Sequence, residues 1–369
     1  MTVFIEQERG FQLAPIGTNI STLETPCVIV DINIAERNLR NWQDQCDFLG
    51  IANRPHVKTH KSSYWGHRQE VLGAVGVTCQ TLREAEVMAD TGVKNILIAY
   101  NIIGVPKLAR LVALARRALI SVVADSAFVV EGLSAAALAN AVTIGVLVEC
   151  DTGAGRCGVK TPGEVLPLAK QIASSPGLSF LGMLTYPAPG GRQTSGEFLA
   201  AAKALCDEQG LPVQIVSSGG TPDKNSDAGL EIVTEYRAGT YIYNDRSLMA
   251  RGTCKEGDCA LSVLATIVSR HSANRAIIDA GSKALTSDLL GLPDFGLVVG
   301  HPSLKVTRLD EEHGYLDQTD GELDLDVGDL VRIIPNHACV VSNLFDRVAL
   351  VRGPTVVGYI RVDARGRID

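Results

Sequence analysis

The chain has 369 residues, of which 46% are hydrophobic and 20% are charged, and its formal net charge is −7 at pH 7. These values are typical of a globular protein of about two domains, and the negative charge argues against broad binding to nucleic acids or anionic membranes. No apolar run is long enough to span a bilayer. The first residues include acidic side chains and no hydrophobic signal-peptide segment. We therefore expect a cytoplasmic protein whose nine cysteines are reduced thiols.

Between residues 54 and 245, short β-branched or apolar runs alternate with longer helix-like stretches. The predicted strands are 54–58, 76–80, 95–100, 120–125, 143–151, 178–186, 213–218 and 235–243. The predicted helices are 62–72, 81–91, 105–118, 126–140, 161–175 and 195–208. Such alternation predicts a (β/α)8 TIM-type barrel, with active residues at the C-terminal ends of the strands. A doubly wound sheet is the alternative, but no Gly-x-Gly-x-x-Gly motif follows a strand.

After about residue 250 the sequence consists of short runs rich in Val, Ile, Gly and Pro. This texture predicts a mainly antiparallel β-domain, with which the apolar run CVIVD, Cys27 to Asp31, can pair. We therefore predict a barrel domain over 32–248, and a β-domain formed by 1–31 and 249–369.

The segment RPHVKTHK, from Arg54 to Lys61, is strongly basic within an acidic protein. If it is a strand, Arg54, His56, Lys58 and His60 share one face. A cationic stripe is costly to bury, so it indicates a bound anion or a lysine tuned for covalent chemistry, unless the strand is a solvated edge. Lys58 is the better candidate because it lies within the apolar strand pattern, whereas Lys61 begins the next segment.

Two Gly/Thr sets lie at the end of the predicted barrel, with Gly220 and Thr221 after the seventh strand and Gly239 and Thr240 on the eighth. Barrels commonly bind phosphate at this position through backbone N–H groups and a hydroxyl group, although glycine turns are also common in loops. In a closed barrel the first and eighth strands are neighbours. A lysine on one and a phosphate cradle on the other suit pyridoxal phosphate.

The motif His337-Ala-Cys339 pairs an imidazole with a thiol. On a strand the two side chains would point to the same side, about 7 Å apart along the backbone. Imidazole and thiolate together favour zinc or a similar metal, and a buried cysteine beside a histidine is the alternative.

Segments spread over nearly the whole chain carry a family resemblance. They are TPCVIVD, RPHVKTHK, GVTCQTLREAE, LVECDTGAGRCGV, SSGGT, TEYRAGTY, IIDAGSKA and IPNHACVVSNLFD. In these segments the chain resembles the alanine-racemase-type (fold type III) pyridoxal phosphate enzymes, and more closely their D-threonine aldolase and D-serine dehydratase branch. The resemblance implies a barrel plus a β-domain and a homodimer, in which the metal pair of one subunit could serve the Lys58 of the other.

The resemblance also implies the roles of site residues. Lys58 would bind the cofactor covalently, Arg156 would neighbour its phenolic oxygen, and Tyr186 would lie against its ring. The residues implied to hold its phosphate are Gly220, Thr221, Gly239, Thr240 and Tyr241. His337 and Cys339 would hold a divalent metal in contact with the substrate's β-hydroxyl group. Zinc is the first choice, and manganese and magnesium are the alternatives.

The resemblance implies a lyase for β-hydroxy-D-amino acids of the D-threonine aldolase type, which releases glycine and an aldehyde. Cys339 favours the alternative, a D-serine or D-threo-3-hydroxyaspartate dehydratase. At this motif the chain resembles the dehydratases of the branch, which have His-x-Cys, whereas the aldolases have His-x-Asp. Pro187 stands where many members of the family have histidine after the tyrosine. At this position the chain therefore departs from the pattern of those enzymes. Weaker alternatives are an amino-acid racemase and a non-catalytic pyridoxal-phosphate-binding protein. No nucleic-acid or membrane partner is expected.

Overall fold

The computed structural model describes residues 13–369, so the predicted β-domain segment from 1 to 12 lies outside the described residues. The strands, in chain order, are β1 (Cys27–Asp31), β2 (Ala52–Asn53), β3 (Val77–Cys79), β4 (Asn95–Asn101), β5 (Leu119–Ala124), β6 (Ile144–Cys150), β7 (Leu178–Thr185), β8 (Ile215–Ser218), β9 (Glu235–Tyr236), β10 (Leu261–Ser272), β11 (Arg275–Ile278), β12 (Gly296–Val298), β13 (Leu304–Leu309), β14 (Gly314–Gln318), β15 (Leu330–Pro335), β16 (Arg347–Arg352) and β17 (Thr355–Arg361). The helices are α1 (Ile32–Leu49), α2 (Ser63–Leu72), α3 (Leu82–Asp90), α4 (Val105–Ala115), α5 (Ala127–Ala139), α6 (Pro162–Ser174), α7 (Arg192–Glu208), α8 (Arg246–Ala250), α9 (Ser282–Leu285) and α10 (Ala338–Leu344).

The described residues form two compact units. The barrel unit comprises Asn41–Lys58, Trp65–Gly239 and Arg367–Asp369. The β unit comprises 13–40, Thr59–Tyr64 and Thr240–Gly366. The domain limits inferred from the sequence, 32–248 for the barrel, stay a prediction.

The barrel unit holds an eight-stranded parallel sheet in the order β2, β9, β8, β7, β6, β5, β4, β3. A parallel bridge between His56, just after β2, and Thr78 on β3 joins the two ends of this order. The predicted (β/α)8 barrel is therefore confirmed. Strand alternation divides the core, because Leu97 packs in one apolar cluster with residues such as Leu147, while Ile96 and Ile98 pack in another.

Helix starts in the barrel follow from local capping. Thr81 caps α3 and Thr161 caps α6, and in each case a glutamate three residues later, Glu84 or Glu164, completes a capping box. The strands are covered on both faces, and every residue of β6 is buried, as expected for a parallel sheet under helices.

The basic segment is not the strand that its pattern predicts. β2 ends at Asn53, and Val57–Thr59 forms a 3-10 helix. The backbone nitrogens of Arg54 and His56 still donate to barrel carbonyls, but Pro55 between them has no N–H. The predicted strand 54–58 is therefore wrong, and Lys58 lies on a turn beyond the strand end. The eighth strand likewise ends early, at Tyr236.

The β unit contains a nine-stranded sheet in the order β11, β14, β13, β12, β15, β10, β1, β16, β17. An additional pairing of β10 with β11 closes six of these strands into a ring. The pairings are antiparallel except that of β1 with β16, so the mainly antiparallel domain is confirmed. The predicted pairing of Cys27–Asp31 is also confirmed, since β1 lies between β10 and β16.

All nine cysteines of the chain lie in the described part and are free thiols. Among residues 13–369, no helix combines the length and the apolar character needed to cross a membrane.

Candidate active site

Lys58 lies on the 3-10 turn that follows the first barrel strand, and its side chain is half-buried. The turn is supported by His56, whose Nδ1 accepts a hydrogen bond from the backbone nitrogen of Lys58 at 3.4 Å. The other ring nitrogen of His56 lies 3.3 Å from Oε1 of Gln80. Because both ring nitrogens have protein partners, His56 orients the turn rather than facing a substrate.

Arg54 does not contribute to an anion-binding stripe. Its Nε donates to Oε2 of Glu235 at 2.5 Å, and both side chains are buried. Its Nη1 donates to Asn95 at 2.9 Å, and Ser217 donates to the other oxygen of Glu235 at 2.6 Å. The charge of Arg54 is therefore neutralised within the barrel, which corrects the interpretation of the segment as one cationic face.

The glycine set after β8 forms a cradle that larger residues could not form. A Cβ atom on Gly219, whose φ is +94°, would lie 2.2 Å from Cζ of Tyr236. A Cβ atom on Gly220 would lie 2.9 Å from Cε2 of Tyr186. The backbone nitrogen of Gly239 donates to Oγ1 of Thr221 at 3.2 Å. Glycine backbone and a hydroxyl group thus come together, which fits the phosphate of pyridoxal phosphate.

A small pocket opens at this cradle. Its lining residues are Tyr186, Pro187, Pro189, Arg192, Gly219, Gly220, Pro222 and Asp223. The departure at Pro187 therefore lies in the pocket wall, where it offers no side-chain proton donor or acceptor.

Arg156 lies over the ring of Tyr186, with 5.2 Å between its Cζ and the ring centroid. A guanidinium on an aromatic face is a favourable cation–π contact, and it joins Arg156 to the glycine cradle. The barrel unit thus brings together Arg156, Tyr186, Gly220, Thr221 and Gly239 through a chain of direct contacts.

Glu149 is a buried acid that the sequence patterns do not single out, although it lies in the segment LVECDTGAGRCGV. Burial raises the pKa of Glu149 to about 7, and the negative charge of Asp125 adds to the effect. Arg156 and Arg237 act in the opposite direction. Burial also lowers the pKa of Arg237 to about 10, although this guanidinium donates to Ser217 at 2.7 Å.

In the β unit, Thr240 and Tyr241 lie in a 3-10 turn, and the Tyr241 side chain is buried. The hydroxyl group of Thr240 lies 3.5 Å from Sγ of Cys339. The hydroxyl group of Thr59 approaches the same sulfur at 3.1 Å. Thr59 follows Lys58 in the chain, and this proximity in sequence is the only signal that could have identified it.

The His337-x-Cys339 pair does not lie on a strand. His337 is the N-cap of α10 and Cys339 belongs to its first turn. The turn is fixed by the buried carboxylate of Asp245, which accepts from the backbone nitrogen of Ala338 at 3.1 Å. His337 and Cys339 therefore lie at the start of a helix and not, as predicted, on one face of a strand. Their side chains nevertheless hydrogen-bond each other.

The electrostatics of this pair fit a metal site. Burial alone would raise the pKa of Cys339, but hydrogen bonds from His337, Thr240 and Thr59 outweigh burial and lower it. The hydrogen bond to Cys339 raises the pKa of His337 to about 9, and a hydrogen bond to Asp288 acts in the same direction. A stabilised thiolate beside an imidazole is a donor set that suits zinc or another borderline metal.

Asp288 is the second residue that the sequence patterns miss. Its Oδ2 lies 2.7 Å from Nδ1 of His337, across 49 positions of the chain. It belongs to no motif and to no regular element, so no pattern in the sequence indicates this contact.

Two family models match the chain. The one described as "Alanine racemase, N-terminal domain" matches residues 30–247. The one described as "Putative serine dehydratase domain" matches residues 260–351.

Individual proteins match over nearly the full length. A D-threonine aldolase from Arthrobacter sp is 34% identical, over 97% of this chain and 98% of the relative. The crystal structure of a D-threonine aldolase from Filomicrobium marinum has a TM-score of 0.90 and 33% identity, covering 97% of this chain and 100% of that one. A D-threo-3-hydroxyaspartate dehydratase, solved as a cysteine-to-alanine mutant in the metal-free form, has a TM-score of 0.86 and 29% identity, covering 93% and 99%.

Proposed function

This chain belongs to the alanine-racemase-like (fold type III) family of pyridoxal phosphate enzymes and is a lyase, and we propose that it cleaves β-hydroxy-D-amino acids in the manner of a D-threonine aldolase. In this reaction the bond between the α- and β-carbons breaks, and glycine and an aldehyde are released. The proposal rests on full-length similarity to a D-threonine aldolase in a chain that also has a paired imidazole and thiol for a β-hydroxyl-binding metal.

Pyridoxal phosphate, when bound, supplies a ring that withdraws electrons from the α-carbon of the substrate. We assign its covalent attachment to Lys58, contact with its phenolic oxygen to Arg156 and contact with its ring to Tyr186. The residues assigned to its phosphate are Gly220, Thr221, Gly239, Thr240 and Tyr241. The close approach of Tyr186 to Gly220 supports this assignment, because it requires glycine at this position and brings the ring next to the cradle.

We assign a divalent metal to His337 and Cys339, with zinc as the first choice and manganese or magnesium as alternatives. A metal there supplies a Lewis acid for the β-hydroxyl oxygen. The hydroxyl groups of Thr59 and Thr240 lie against the Cys339 sulfur and favour its thiolate form, which is the form that binds a metal.

The alternative is a dehydratase that acts on D-serine or D-threo-3-hydroxyaspartate and yields a keto acid and ammonia. Cys339 favours it, because the similar dehydratase was solved as a cysteine mutant in a metal-free form. In that reaction the Nζ atom of Lys58 would take the proton from the α-carbon, and the β-hydroxyl group would leave.

Product analysis separates the two reactions. The purified enzyme is incubated with D-threonine, D-serine and D-3-hydroxyaspartate. Glycine with an aldehyde identifies an aldolase, keto acid with ammonia identifies a dehydratase, and turnover of none of the three rejects the substrate class. Repeating the assay after chelation and after zinc addition tests the metal, since undiminished turnover in chelator would reject it.

The homodimer and the cytoplasmic location stay predictions. Light scattering on the purified holoenzyme would give a mass of two chains if the dimer is correct, and of one chain if it is not.

A further inference from the structure

We propose that Asp288 is a positioning residue for the metal site, because its carboxylate holds His337 in the orientation that presents Nε2 beside the sulfur of Cys339. This inference rests on the proposed function, since it assumes that His337 and Cys339 bind a metal ion. It adds to that function a third side chain, which contacts neither metal nor substrate.

The geometry of the imidazole determines which of its nitrogens can bind a metal. Oδ2 of Asp288 lies 2.7 Å from Nδ1 of His337, and a carboxylate at this distance is an acceptor. Nδ1 must therefore carry a proton, and Nε2 is the nitrogen left both for the hydrogen bond with Cys339 and for a metal. A metal bound there would replace the proton on Nε2.

The loop that carries Asp288 is tied to the segment that carries His337. Asn336 immediately precedes His337 and is only 1% exposed. Its Nδ2 donates to the backbone oxygen of Asp288 at 3.2 Å and to that of Asp294 at 2.7 Å. Arg246 donates to Oδ1 of Asn336 at 3.2 Å and forms an ion pair with Asp294. The position of the Asp288 backbone is thus set by buried and partly buried hydrogen bonds.

The side chains of His337 and Asp288 are 30% and 40% exposed, so their contact stabilises the fold only slightly. The buried ties come from Asn336 and Arg246, which hold the loop without the Asp288 carboxylate. The main effect of the Asp288 carboxylate is therefore on the orientation of the imidazole. Carboxylates commonly orient metal-binding histidines in this way.

The test measures metal affinity rather than turnover. Apoprotein is prepared by chelation, and zinc is titrated in competition with a chromophoric chelator for the wild type, Asp288→Ala, Asp288→Asn and His337→Ala. We expect Asp288→Ala to weaken zinc binding by about 10- to 100-fold. Asp288→Asn should lose less, because its amide oxygen can still accept from Nδ1. Thermal unfolding of each apoprotein should coincide with that of the wild type.

A matched control is Glu312→Ala, which removes another surface carboxylate of the β unit, the partner of Lys283 at 2.6 Å. Zinc affinity should be unchanged in this variant. If the wild type binds zinc and His337→Ala does not, but Asp288→Ala binds like the wild type, the positioning role is rejected while the metal site stands. If Asp288→Ala lowers the unfolding temperature of the apoprotein together with its zinc affinity, the residue is structural and the inference is also rejected. If the wild type binds no zinc, the proposed metal site itself fails.

Discussion

Arg54 and Glu235, although 181 positions apart in the chain, form a buried ion pair of 2.5 Å where the first and last strands of the barrel meet. The contact lies beside the parallel pairing of β2 with β9, which has only two residues in each strand. A short ladder is thus supplemented by side chains at the place where the barrel closes.

Removing one partner of this pair should be strongly destabilising. Arg54→Met leaves the carboxylate of Glu235 buried without its direct ion-pair partner, which costs about 3–5 kcal/mol of unfolding free energy. The double variant Arg54→Met/Glu235→Gln should recover part of that loss, because position 235 then carries no unpaired charge. Urea unfolding curves would measure both. A single variant as stable as the wild type would contradict the role of the pair in closing the barrel.

Lys58→Ala should abolish the visible absorbance of bound cofactor, because the covalent link to the ε-amine is lost. The matched control is Lys61→Ala, which removes the rival lysine of the same basic segment. Absorbance spectra of the purified variants, with circular dichroism to verify folding, provide the measurement. Loss of the band in Lys61→Ala alone would transfer the assignment to Lys61.

Gly220→Ala should weaken cofactor binding at least about tenfold, because the added methyl group would lie 2.9 Å from the Tyr186 ring and displace it from the cradle. Gly220 has φ of −166°, so alanine brings no backbone strain and the effect is purely steric. Titration of the apoprotein with pyridoxal phosphate measures the affinity. Gly163→Ala, where a Cβ would meet no atom within 4 Å, is the control. Equal affinity for pyridoxal phosphate in Gly220→Ala and Gly163→Ala would show that Gly220 does not help to form the phosphate site.

Glu149 should make the barrel less stable as the pH rises. Its pKa in the folded protein is about 7, above the ordinary 4.5, so the folded state binds the proton more tightly than the unfolded state. Its contribution is fully present below pH 4.5 and is lost as the pH rises to about 7.

Glu149→Gln should remove this loss and gain on the order of 3 kcal/mol relative to the wild type above pH 7. Unfolding temperatures measured from pH 4 to pH 8 would show the two curves separating over that range. Glu131→Gln, which changes an exposed glutamate of α5, should follow the wild type at every pH. Parallel curves for Glu149→Gln and the wild type would rule out a buried acid that gains its proton near neutral pH.

The sequence predicts the architecture well where many residues repeat one physical rule. The barrel follows from eight apolar runs separated by helices. These runs need not alternate between apolar and polar residues, because both faces of a barrel strand are buried, as β6 shows. The first strand is mispredicted because its apparent alternation includes Pro55 and a 3-10 turn, and because the charge of Arg54 is paired with a glutamate from the last strand. Pairing across 181 positions leaves no local pattern.

The candidate site shows the same division. Lys58 and the glycine sets stand out because their residue types are unusual for their positions. His337 and Cys339 stand out by spacing, but the strand geometry inferred for them is wrong, since Asp245 caps a helix at that point. Asp288 is not detectable, because it lies in an irregular loop and acts through a contact that only the folded chain creates.

The division of the chain into units limits how the gene can be cut. The polypeptide passes from one unit to the other after Arg40, Lys58, Tyr64, Gly239 and Gly366. Neither half is therefore encoded by one continuous stretch, and a deletion at residue 240 would leave the six residues Thr59–Tyr64 in the fragment without the strands they belong with. A chimera that receives the β unit of a related protein must therefore also receive the residues of that protein that correspond to Thr59–Tyr64.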